Sequence, residues 1–68
     1  MIHWKREPLR VGVYYNAYAE NGAFLGRIIG HYGQKCLEAH CTEWEVPDLE
    51  SWHNTRQEAM KALEDSIT

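Results

Sequence analysis

Cys36, Cys41, His31 and His40 are the side chains in this 68-residue chain best suited to hold a metal, and their spacing decides whether they could do so together. Structural zinc sites usually bring two thiolates together over a tight C-x-x-C-type turn, whereas Cys36 and Cys41 are separated by four residues within a patterned stretch. If that stretch is a strand, side chains alternate faces. Positions 36 and 41 then point to opposite sides and can neither share an ion nor form a disulfide without a bulge. The expectation is no metal and no cofactor, with Cys41 a small buried residue and Cys36 a reduced surface thiol.

A nucleophile with its base would have to pair Cys36 or Cys41 with His40 or His53. No glycine-rich anion loop or oxyanion hole accompanies them, so the chain is not expected to be an enzyme. The remaining chemistry is electrostatic. Glu43, Glu45, Asp48 and Glu50 gather around Pro47, either as a solvated loop or as an acidic patch for a basic partner.

These residues must be positioned by elements that periodicity can locate. Leu9, Val11, Val13, Tyr15 and Ala17 alternate with Arg10, Gly12, Tyr14, Asn16 and Tyr18, which predicts a half-buried strand over 9–18. Asn21-Gly22 then predicts a tight hairpin turn into a second strand over 23–32. Burying an unpaired guanidinium is costly, so Arg27 faces outward with Leu25, Ile29 and His31, and Phe24, Gly26, Ile28, Gly30 and Tyr32 face inward. The two glycines would let a helix backbone approach the sheet closely.

The stretch from 36 to 41 alternates as a third short strand. A helix over 34–44 satisfies the spacing of Leu37, Cys41 and Trp44 nearly as well, and would leave only a hairpin and two helices. The strand is preferred because a third strand completes a sheet with a coverable face. Residues 42–54 read as a long connection anchored by Trp44, Leu49 and Trp52, with Pro47 disfavouring helix at Val46. Thr55-Arg56-Gln57-Glu58 forms a capping box that opens a helix over about 55–66, with an Ala59, Met60, Leu63, Ile67 stripe; a start near Asp48 would leave that box in mid-helix.

The expected fold is therefore α+β: one domain over 1–68, a three-stranded antiparallel sheet covered on one face by a C-terminal helix (β-β-β-α), with 1–8 a flexible lead-in. The other face would carry Arg10, Tyr14, Tyr18, Leu25, Arg27, Ile29, Cys36 and His40, a mixture of the kind that marks binding surfaces. Reversing the parity of the second strand would instead put Leu25 and Ile29 in the core. Seven basic against ten acidic residues give a net charge of −3, which disfavours a general nucleic-acid or anionic-membrane binder. No apolar run approaches the roughly 20 residues that span a bilayer, and no signal-like segment is evident, so a cytoplasmic protein is expected.

Read in order, L-x-V-x-V, N-G-x-F-L-G-R-I, L-E-A-H and S-W-H-N-T-R-Q-E-A-M-K-A-L resemble the small β-β-β-α accessory proteins of phages and mobile elements. At fold level they are also similar to the arm-type DNA-binding domains of tyrosine integrases. The capping segment and Val46-Pro47-Asp48-Leu49 further resemble β-β-β-α antitoxins. The resemblance implies a phage or mobile-element protein in the host cytoplasm. Integrase arm domains lay a basic sheet in the major groove, whereas this face sets Arg10 and Arg27 among Tyr, Leu and Ile.

The functional expectation is a small protein-binding inhibitor of a host or defence protein, with an anti-CRISPR-like role as one form. Its contacts are expected at Tyr14, Tyr18, Arg27 and Ile29, with Glu43 and Glu45 secondary, and a basic nucleic-acid-binding surface is a suitable partner. The alternatives are an integrase-type DNA-binding module and a homodimer formed through the same face.

Overall fold

The computed structural model describes residues 1–33 and 37–67. It corrects the expected three-stranded sheet: five antiparallel strands lie side by side in chain order. They are β1 (His3–Pro8), β2 (Gly12–Tyr18), β3 (Phe24–His31), β4 (Trp44–Val46) and β5 (Ser51–His53), and one helix, α1 (Arg56–Ile67), follows them. The α+β class stands, but only β2 and β3 were located by periodicity, and β1, β4 and β5 are additional to them.

The central hairpin forms as its sequence dictates. Val13, Tyr15 and Ala17 of β2 are buried, and opposite them Gly26, Ile28 and Gly30 of β3 line the same covered face. Gly22 takes φ 90 in the turn, and the Asn21 side chain accepts the Ala23 N–H at 3.0 Å. The register shifts between Ala17 and Tyr18. That irregularity overturns the inward placement of Phe24, which is exposed and packs edge-on to Tyr18 at 5.7 Å.

The glycines of β3 also work differently from expectation. A Cβ at Gly26 would lie 3.1 Å from both Leu63 methyls, and one at Gly30 would lie 2.8 Å from the Trp44 ring. They make room for two large side chains, not for a helix backbone. Leu63, Ile28, Val13 and Val46 are the largest fully buried side chains, each worth about 1.5–3 kcal/mol in burial.

The segment read as a flexible lead-in is the edge strand β1. Trp4 and Arg6 turn to the covered side and His3, Lys5 and Glu7 to the other, and the Trp4 indole N–H donates to Glu64 of α1 at 3.0 Å. Among the described residues of the expected third strand over 36–41, 37–41 form no strand. Residues 34–36 lie outside the described residues, and Glu38–His40 make a single 3-10 turn, so the alternative helix is also not continued through 37–44. The reason is polar: Glu38 is drawn against β1, β2 and α1 by hydrogen bonds.

The expected connection over 42–54 is instead a hairpin, β4 to β5, turning through Pro47–Leu49 with Glu50 in the left-handed region at φ 50. Val46 is extended, as the residue before proline must be. Trp44 anchors this hairpin in the core, but Leu49 and Trp52, expected as anchors beside it, are exposed. Helix α1 begins where the capping box places it, with the Glu58 N–H donating to Thr55 Oγ1 at 3.2 Å. Ala59 and Leu63 of its stripe are buried and Met60 packs beside them, while Ile67 is 39% exposed. Among the described residues no helix is long and apolar enough to cross a membrane.

Candidate functional site

The helix leaves one face of the sheet open, and strand register orders its side chains into rows. Lys5, Asn16 and Arg27 form one row across β1–β3. Glu7, Tyr14, Ile29, Glu45 and Trp52 form the next, across all five strands. His31 and Glu43 lie beyond it, joined by the His31 N–H donating to the Glu43 carbonyl at 3.0 Å.

Polar contacts hold these rows in place. Arg27 Nε donates to Asn16 Oδ1 at 2.7 Å, Asn16 Nδ2 donates to Glu7 at 3.3 Å, and the guanidinium carbon stands 4.1 Å from the Tyr14 ring centre. Arg27 is therefore held over an aromatic ring, which limits the entropy it would lose on binding. Lys5 lies over the Tyr18 ring at 5.4 Å. On the other side His31 Nε2 is 2.9 Å from a Glu45 carboxylate oxygen, and its ring is 5.1 Å from that of Trp52. Trp52 is 57% exposed.

The face thus brings together Tyr14, Tyr18, Arg27, Ile29 and Glu45, with Glu43 exposed at its rim. The other residues placed on it by sequence fall differently. Leu25, at the register shift, packs against the core instead; Arg10 lies in the bend before β2, His40 in the 3-10 turn, and Cys36 outside the described residues. Periodicity missed His3, Lys5, Glu7, Phe24 and Trp52. Alternation of Trp4 and Arg6 with Lys5 and Glu7 was the available signal for β1. Three-residue strands such as β5 are too short to show alternation, so Trp52 had none.

A second polar cluster lies beneath the covered side. The Glu38 carboxylate accepts from the Tyr15 hydroxyl, from Arg6 Nε at 2.8 Å, from the Tyr32 hydroxyl at 3.4 Å and from Arg56 at 3.5 Å. Partial burial works to raise the Glu38 pKa, but the hydrogen bonds from Tyr15 and Arg6 outweigh it and hold it below the ordinary carboxylate value. Burial, followed by the Glu38 charge, raises the Tyr32 pKa. Beside the cluster, Cys41, Trp44, Thr55 and Arg56 line an open depression of about 520 Å³.

Of the candidates for metal or nucleophilic chemistry, Cys41, His31 and His53 have other partners. Cys41 Sγ donates to the His31 and Glu43 carbonyls at 3.4 and 3.7 Å, and His53 Nε2 meets Ser51 Oγ at 3.0 Å. Among the described residues no three of His, Cys, Asp and Glu are placed to hold a metal ion; any role of Cys36 lies outside them. No protein-family model, curated protein or solved structure matches the chain.

Proposed function

We propose that this chain is a protein-docking module whose contact surface is the open face of its sheet. The observation that carries the reading is the prearranged group of Arg27 on Tyr14, Ile29 beside them, and exposed Trp52 at the end of the same row. Tyr, Trp and Arg concentrate binding energy at protein interfaces, and a guanidinium already held by Asn16 contributes it at low entropic cost. The inhibitor role expected from size and resemblance is one form of this activity.

The nucleic-acid alternative is less well supported by the same geometry. Single-strand binders stack bases on open aromatic faces in a positively charged groove. Here Arg27 and Lys5 already lie over Tyr14 and Tyr18, and Glu7, Glu43 and Glu45 offset those cations.

A photo-cross-linking amino acid placed at Tyr14 or Ile29, with Lys61 on α1 as the control position, tests the reading in lysate of the source cells. Docking through the face predicts discrete protein products from positions 14 and 29 that position 61 does not give. Equal or absent products at all three positions would contradict it.

A further inference from the structure

We propose that the occupant of the open face is a second copy of this chain, packed across a two-fold axis lying between the two sheets; the proposal rests on the docking reading above. Its basis is the distribution of charge. Lys5 and Arg27 occupy β1 and β3, with Glu7 of β1 engaged by Asn16, while Glu43 and Glu45 occupy β4 and the residue leading into it, Glu45 beside His31, so the face is more cationic toward β1–β3 and anionic toward β4. A surface divided in this way complements itself under a two-fold rotation, which is what an isologous interface requires.

Register makes the rotation specific. Strands lie about 4.8 Å apart and same-face residues about 6.8 Å apart along a strand, which fixes a grid for the open face. On that grid, the two-fold that sets Arg27 over Glu45 of the second copy also brings Lys5 over Glu43 of the second copy. The same rotation leaves Tyr14 and Ile29 beside the axis, meeting their own counterparts. Each pairing occurs twice by symmetry. An axis along β3 would instead set Arg27 on Arg27, and one running across the strands between the two rows would set it on Ile29.

The strands of the two copies then cross at roughly 70°, toward the orthogonal class of sheet packing. The molecule measures 36 × 20 × 16 Å, so two broad faces crossed in this way overlap over roughly 430 Å² in projection, the scale of a weak, concentration-dependent interface. The helix lies on the opposite side of the sheet and does not obstruct this arrangement.

Sedimentation equilibrium over a concentration series tests the proposal, with circular dichroism confirming that each variant is folded. Wild type is expected to dimerise, and Arg27→Glu or Glu45→Arg alone to weaken the dimer roughly tenfold or more, because each sets like charges together twice. An equimolar mixture of the two variants restores opposite charges at both pairs and is expected to form a heterodimer as tight as the wild-type dimer. Should either variant fail to fold, Lys5→Glu and Glu43→Lys give the same test at the rim. A wild-type chain that stays monomeric at millimolar concentration would overturn the proposal, as would a dimer indifferent to these charges or a mixture no tighter than its components. Cross-links from positions 14 and 29 to a different protein, with the chain itself monomeric, would overturn the second copy while leaving the docking face in place.

Discussion

Gly30 and Trp44 face each other across the β3–β4 pair, and the indole fills the space a side chain at position 30 would need. A Cβ there would stand 2.8 Å from Trp44 Cζ3 and 3.0 Å from Val13 Cγ1. This contact fastens the short β4–β5 hairpin to the sheet and so places Glu45 and Trp52 on the open face. Gly30→Ala is expected to lower unfolding free energy by about 1–3 kcal/mol by overpacking. In a Trp44→Ala background the same change should cost much less, a coupling that urea titration of the four proteins reads directly.

Glu38 takes the place of a third strand as the tie between the 37–41 segment and the rest of the fold. Its pKa is held below the ordinary carboxylate value, so its contribution is present in full above that value and is lost as pH falls through the lowered one. Glu38→Gln should lower stability by about 1–3 kcal/mol at neutral pH, since it removes the charge that its hydroxyl and guanidinium donors meet. The gap between variant and wild type should close below the ordinary carboxylate range. A gap unchanged between neutral and strongly acidic pH would show that the charge is not what matters.

Thr55→Ala removes the acceptor of the Glu58 N–H at the start of α1. The expected loss is about 0.5–2 kcal/mol, seen as a lower thermal midpoint, with little further loss when Glu58→Ala is added. Additive losses would mean that the two residues do not act as one cap.

The parts of the fold legible in the sequence were those with a long period or a specific local signal. Seven-residue alternation in β2, the Asn21-Gly22 turn and the Thr55–Glu58 cap placed their elements within a residue or a few, and the Arg27 parity held from Gly26 to His31 but not at Phe24 and Leu25, where the register shifts. The hairpin of β4 and β5 was not legible, because three residues show no period and the burial of Trp44 depends on a gap left by Gly30, distant in sequence. β1 was missed because its covered face is Trp4 and Arg6, whose partners Glu64 and Glu38 lie 60 and 32 residues away. The candidate face was legible where it draws on β2 and β3. It was not where Trp52 and Lys5 complete it.

Arg27→Ala separates stability from docking. Its guanidinium is partly exposed on Tyr14, where a cation–π contact contributes about 0.5–1 kcal/mol, so the thermal midpoint should fall only modestly. Association through the open face should nonetheless weaken by an order of magnitude or more, read by the same cross-linking that positions 14 and 29 support. A variant that unfolds, or one that cross-links like wild type, would remove Arg27 from the surface proposed for it.

The most direct measurement of the docking face is hydroxyl-radical footprinting of the dilute, isolated chain against the chain at working concentration in lysate of its source cells. Tyr14, Tyr18, Phe24 and Trp52 share the open face, while Leu49 is exposed in the β4–β5 turn and Met1 at the chain terminus. Occupation of the face predicts that these four aromatic residues lose reactivity together while Leu49 and Met1 keep theirs. Equal reactivity of all four aromatics in the two conditions, or protection confined to the helix side, would contradict the account.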